Sequence, residues 1–155
     1  VYPLLEFIPK TATVWCPFDE ESSEYVKVLE KHCKVIKSHI RTGEDFFLYE
    51  PDEHYDMIVS NPPFQHKRRF FDRALELNKP FALLMTMTWL NDAAPKKIFL
   101  EADKQLQLLM FDKRIRFMNN VGQANDKITF STGYYCYDFL PNDIELRILD
   151  KQGAK

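Results

Sequence analysis

The chain has 155 residues, 45% hydrophobic and 28% charged, with a formal net charge of −2. That is the size and balance of one folded domain with a real core, and it excludes a disordered segment or a protein that coats nucleic acid through bulk charge, though not one with a local basic groove. Cys16, Cys33 and Cys136 are odd in number and widely spaced without a Cys-x-x-Cys pair, so neither a disulfide framework nor a metal site is suggested, and a reducing cytoplasmic setting is expected.

Short apolar runs alternate with helical patterns along the chain. Residues 11–16 (TATVWC) read as a strand, and 22–33 as a helix with Tyr25, Val26, Leu29 and Cys33 at helical spacing. Residues 34–40 and 55–60 give two more strands. Residues 65–78 read as a helix whose buried side is Phe70, Phe71, Ala74, Leu75 and Leu77. The run FALLMTMTWL at 81–90 is expected to be a strand covered on both faces, because it is apolar without alternation. It is too short to cross a bilayer, so no membrane partner is expected. Residues 93–106 read as a helix with Pro95 in its first turn, and 107–118 and 128–140 as two β segments rich in aromatics. This order predicts an α/β fold with a mostly parallel sheet, helices on both faces and an antiparallel strand near the C-terminus. Nothing at the start reads as a signal peptide. The chain opens at Val1 without a methionine, so part of the natural N-terminus is expected to be missing.

Directly after the strand at 55–60 comes Asn61-Pro62-Pro63-Phe64. Two prolines remove two backbone donors and bias the corner towards extended conformations, which makes a stiff turn at a strand end. In parallel sheets, ligands sit beyond such ends. The exocyclic amine of adenine is a poor nucleophile because its lone pair is delocalised. Acceptors against its two hydrogens favour a localised lone pair, and the Asn61 side-chain carbonyl and the Pro62 backbone carbonyl can supply them. Phe64 offers a face on which a base can stack, worth about 1–3 kcal/mol. With a methyl sulfonium as electrophile no ionised base is needed. The plainer reading is a Pro-Pro turn with Phe64 in the core.

VSNPPF resembles the fourth motif of class I S-adenosylmethionine-dependent amino-methyltransferases, the (D/N/S)PP(Y/F/W) corner of the adenine-N6 enzymes. The helix and strand of FFDRALELNKPFALLMTMTWL, the FDKRIRF pattern and the aromatic strand TGYYCYDF are similar to the segments after that corner in short bacterial and phage members of the family. YPLLEFIP at 2–9 resembles the end of their N-terminal cofactor-flanking helix. The resemblance implies a trimmed Rossmann-like fold over 1–155, S-adenosylmethionine as cofactor, and Asn61, Pro62, Pro63 and Phe64 as the catalytic corner. It implies a cofactor rim of Cys16, Pro17, Phe18, Asp19, His39, Asp45 and Phe46.

The family's DPFxGxG loop is here VWCPFDEES, with Glu20 and Ser22 where glycines are expected. Asp19, Glu20 and Glu21 can attract a cationic cofactor or simply favour the start of the next helix. Ser38-His39 replaces the carboxylate that grips ribose. His39 can bind a hydroxyl there, or be a surface histidine. Gly43-Glu44-Asp45-Phe46-Phe47 resembles the family's third motif, and equally reads as a glycine turn before core aromatics. The stretch between His39 and Tyr55 is too short for the usual helix and strand.

Lys67, Arg68 and Arg69 open the helix after the corner, where positive charge opposes the helix dipole. They suit a phosphate backbone, or a solvated face with an Arg68–Asp72 pair. Lys113, Arg114 and Arg116, interleaved with Phe111, Ile115 and Phe117, form a second basic segment that can track a backbone or equally reads as alternation in an edge strand. The expected function is methyl transfer to adenine N6 in DNA or RNA, single-stranded or flipped out. The alternative is a non-catalytic relative that binds nucleic acid or a protein partner after losing its cofactor loop. A third reading, a glutamine side chain as acceptor, suits a similar NPPY corner, but those enzymes keep the glycine loop and carry a helical N-terminal domain.

Overall fold

Successive strand residues face opposite sides of a sheet, and here both sides are apolar. Val14, Cys16, Met57, Val59, Ala82, Leu84, Tyr134 and Cys136 join one core with Leu4, Ile8, Val26 and Leu29. Trp15, Ile58, Phe81, Leu83, Met85 and Tyr135 join the other with Phe70, Phe71, Ala74, Ile98 and Phe99. A sheet buried in this way must be sandwiched between helices.

The computed structural model describes residues 1–63, 65–115 and 131–149. Its strands are β1 (Thr13–Cys16), β2 (Lys34–Lys37), β3 (Met57–Ser60), β4 (Phe81–Thr86), β5 (Gln107–Phe111), β6 (Thr132–Tyr137) and β7 (Ile144–Arg147). Its helices are α1 (Glu24–Leu29), α2 (Lys67–Glu76) and α3 (Ala94–Glu101). The seven strands form one sheet in the order β2-β1-β3-β4-β6-β5-β7. Only β6 runs antiparallel to its neighbours, β4 and β5; the other pairs are parallel. Helix α1 packs on the first core, and α2 and α3 on the second. This is the expected trimmed Rossmann-like α/β fold with its antiparallel strand near the C-terminus. The chain passes from β1 outward to β2 and returns to β3 on the other side, so the switch point of the topology lies between β1 and β3.

Several elements differ from expectation. The strand at 81–90 stops at Thr86, whose hydroxyl accepts the Thr88 N–H at 3.3 Å and turns the chain into a 3-10 segment, Met87–Asn91. Helix α1 is shorter than 22–33, beginning where Ser23 Oγ accepts the Tyr25 N–H at 3.2 Å. The start of the chain, expected as the end of a flanking helix, is a 3-10 helix, Tyr2–Phe7, with a proline in its first turn. Strand β7 is an addition to the expected elements. Ile144, Glu145, Leu146 and Arg147 alternate as a strand should, and Ile144 and Leu146 are exposed. Between β2 and β3 the structure follows expectation: the chain makes one 3-10 turn, Ile40–Thr42, without the usual helix and strand. Of the β segments expected at 107–118 and 128–140, residues 116–118 and 128–130 lie outside the described residues. No helix among the described residues is long and apolar enough to cross a membrane.

Gly133 sets the closeness of β6 to its neighbours. A Cβ there would stand 2.7 Å from the Leu109 carbonyl oxygen and 2.7 Å from Met87 Sδ. Met87 can move, but the β5 backbone cannot move without disturbing the ladder. Gly133→Ala is expected to destabilise the protein by about 1–3 kcal/mol, read as a lowered urea midpoint at unchanged slope.

Candidate active site

Three neighbouring strand ends build the site, and each leaves the sheet differently. After β1 the chain runs through Pro17 and Phe18 into α1. None of residues 17–23 has a positive φ, so this loop follows a path open to any L-residue, and its lack of glycine costs no strain. After β2, Ser38 and His39 lead into the turn Ile40–Thr42, which Gly43 ends in the left-handed region at φ 92°. Open space surrounds a Cβ at Gly43, so glycine is needed there for its backbone freedom alone. Asp45 then closes a local turn, its Oδ1 accepting the Phe47 N–H at 3.0 Å. After β3 the chain enters Asn61-Pro62-Pro63 and reaches α2 through His66, which sits at φ 56° without capping the helix through its side chain.

These ends enclose a cavity of about 660 Å³, within the range of small-molecule clefts. Pro17, Phe18, His39, Asp45 and Phe46 line one part, and Asn61, Pro62, Pro63 and Arg69 another. Its wall is aromatic. Phe18 lies 4.9 Å from Phe46 and 5.0 Å from Phe70, and Phe47 stacks on Phe70 at 4.9 Å with a 15° interplanar angle. The Arg69 guanidinium covers Phe47 at 4.3 Å. A smaller cavity of about 210 Å³ adjoins it through Phe18 and His39, bordered by Asp19, Glu20, Ser22, Ser23 and Arg41. The imidazole Nδ1 of His39 accepts the Arg41 N–H at 3.0 Å and lies 3.5 Å from Glu20 Oε1. A lone pair used in this way leaves Nε2 as the ring's donor, so the Glu20 contact is not a hydrogen bond from Nδ1.

Asn61 Oδ1 is shielded from solvent and has no hydrogen-bond partner among the described residues. A buried acceptor left unmet costs about 1–3 kcal/mol, and natural interiors rarely tolerate one without a use for it. An unpaired amide oxygen at the end of β3, beside a cavity walled by mutually tilted aromatic rings, has acceptor capacity left for a ligand's amine. Glu44 and Asp45 add carboxylates to the same cavity. Among the described residues no group of three or more His, Cys, Asp and Glu is placed to hold a metal ion.

The other candidates fall elsewhere. The Cys16 side chain is fully buried in the core beneath α1, outside both cavity linings, and burial pushes its thiol well above the ordinary range. Lys67 lies 5.7 Å over the Trp89 ring. Arg68 is paired with Asp72 at 3.7 Å and Glu101 at 3.3 Å, so of the three basic residues only Arg69 reaches the cavity. Arg114 is exposed just beyond β5. Because β5 runs in the same direction as β3 and β4, Arg114 stands on the same sheet edge as the cavity, three strand spacings or about 14 Å along it. Phe64 and Arg116 lie outside the described residues. Ile40, Glu44, Phe47, Leu48 and Phe70 also line the cavity. For Phe47 the sequence signal is the doubled phenylalanine after Asp45.

No protein-family model and no curated protein matches the chain. Among solved structures it is similar to a predicted O-methyltransferase from Agrobacterium tumefaciens, 11% identical over 94% of this chain and 83% of that one, at a TM-score of 0.44. It is also similar to a Pyrococcus horikoshii protein assigned as an RNA methyltransferase, 14% identical over 81% of this chain and 62% of that one, at a TM-score of 0.44. A Thermoplasma acidophilum protein assigned as a methyltransferase is 14% identical over 88% and 60%, at a TM-score of 0.41. The chain thus spans less than two thirds of the second and third. Likeness at this level assigns no chemistry.

Proposed function

We propose that this protein methylates an exocyclic amine, the N6 amine of adenine in a DNA or RNA strand, with S-adenosylmethionine as methyl donor. The observation that carries the proposal is the unmet Asn61 Oδ1 at the end of β3, beside an aromatic cavity. The cavity residues fit the donor's adenosine end. The Phe18 and Phe46 rings can border a purine, Asp45 keeps a carboxylate oxygen for its amine, and His39 Nε2 can donate to a ribose hydroxyl. S-adenosylmethionine, when bound, supplies an electrophilic methyl group.

Asn61 and the Pro62 carbonyl accept the two hydrogens of the target amine and so localise its lone pair towards the methyl carbon. The amine nitrogen would gain the methyl group as the donor's S–CH3 bond breaks, leaving S-adenosylhomocysteine as a neutral thioether, and would then lose a proton to solvent, so no ionised base is required. Arg69, on the cavity wall, and Arg114, on the same sheet edge, would meet phosphates of the strand.

A second reading, a cofactor-free relative that binds nucleic acid or a protein, is favoured by one observation. Both carboxylate oxygens of Asp19, the acid nearest the family's cofactor loop, already accept hydrogen bonds within the protein, from Ser23 and Ser60. Titration calorimetry with S-adenosylhomocysteine separates the two. Binding, together with methyl incorporation into single-stranded adenine-containing DNA or RNA, is expected. Absence of both removes the enzymatic reading.

A further inference from the structure

The residues around the cavity sit on three strand ends: Phe18 after β1, His39 after β2 and Asn61 after β3. Beneath them lies a polar cluster that the proposed chemistry leaves unused. Asp19 is 7% exposed. Its carboxylate accepts from two different elements, Oδ1 from Ser23 Oγ at 2.5 Å and Oδ2 from the hydroxyl of Ser60, which is fully buried. Its backbone N–H donates to the Ser38 carbonyl at 3.2 Å. Ser38 in turn is fixed by the Trp15 Nε1–H, which donates to its hydroxyl at 2.9 Å. Ser60 immediately precedes Asn61, and Ser38 immediately precedes His39. One residue therefore ties the β1–α1 loop to the last positions before two of the cavity residues.

From this geometry we infer that Asp19 is a positioning residue, a buried latch that holds the β1–α1 loop against Ser60 and so sets where Phe18 stands relative to Asn61. Hydrogen bonds from hydroxyls to a carboxylate are among the stronger ones, and two of them from different elements fix the loop at one point. The latch is also kept at a cost. Burial pushes the Asp19 carboxyl above its ordinary value, against the hydrogen bonds from Ser23 and Ser60 and the nearby His39, which lower it. Cys16, Tyr25 and Tyr134, within its field from the core side, bring no positive charge. A carboxyl raised in the folded state favours folding below its unfolded pKa and loses that favour as pH rises through the folded value. At neutral pH an uncharged isostere should therefore be tolerated by the fold, whereas a residue present only for stability would be missed.

Hydrogen–deuterium exchange of the full chain, wild type against Ser60→Ala and Asp19→Ala, tests the latch. Peptides covering residues 17–23 are expected to exchange roughly tenfold faster in both variants, with 81–86 at the wild-type rate. Wild-type exchange over 17–23 in both variants overturns the latch. Should both variants lose protection over 81–86 as well, Asp19→Asn decides. That variant keeps one acceptor oxygen and drops the charge, so faster loop exchange at a melting temperature equal to or above the wild type is expected, and a wild-type loop overturns the proposal. The effect on rate rests on the methyl-transfer reading: Ser60→Ala is expected to lower kcat roughly tenfold with the acceptor KM little changed. A loop that loosens in a chain that transfers no methyl group keeps the latch and removes that reading.

Discussion

Replacing Asn61 by alanine is expected to lower methyl transfer about 10²–10³-fold without loss of stability. The two halves of that result come from one atom. Asn61 Oδ1 is buried with no partner among the described residues, so the folded chain carries the cost of an unmet acceptor, about 1–3 kcal/mol. Alanine removes that cost and loses only a small amount of packing, so the urea midpoint should hold or rise. On the proposed mechanism the same oxygen would accept a hydrogen in the transition state from an amine that is becoming positively charged, and its removal would be felt there in full. Single-turnover methyl transfer to an adenine-containing single strand, read beside urea denaturation of the same variant, checks both halves. Wild-type transfer by the variant would take Asn61 out of the chemistry. A large stability loss would mean that the amide is a structural group.

Residues that act through local chemistry are legible in the sequence, and those that act through tertiary contact are not. Asn61-Pro62-Pro63 announces a stiff corner because proline restricts its own φ and its neighbour's conformation wherever it occurs. The Gly43 turn and the alternation that buries Trp15 on one face and Cys16 on the other are likewise local. Position in a motif puts Cys16 on the cofactor rim, yet strand alternation sends its thiol into the core beneath α1. Lys67, Arg68 and Arg69 are equivalent as a run of charge. They part company only because a helix turns about 100° per residue, which puts Arg69 over Phe47, Arg68 beside Glu101 and Lys67 against Trp89. On sequence the acids after Cys16 are open between ligand binding and helix capping. Neither reading foresees Ser60, 41 residues away, as the partner of Asp19.

Trp15→Ala is expected to cost about 3–5 kcal/mol, a large share of the roughly 5–15 kcal/mol that holds a domain together. Trp15 is fully buried. Its ring lies 5.0 Å from Tyr55, 5.5 Å from Phe46 and 6.3 Å from Tyr49, so it supports the aromatic segment that walls the cavity. Trp15→Phe separates packing from polar satisfaction. Phenylalanine refills most of the space but leaves the buried Ser38 hydroxyl without the Nε1–H donor, for an expected cost of about 1–3 kcal/mol. Urea denaturation of the two variants checks the order. Equal costs would place the whole effect in the Ser38 hydrogen bond, and a cost-free phenylalanine would place it entirely in the packing. Because Ser38 immediately precedes His39 and accepts the Asp19 N–H, the phenylalanine variant should also weaken S-adenosylhomocysteine binding while Asn61→Ala leaves it unchanged. Reversal of that pair would mean that Asn61 holds the cofactor rather than the amine.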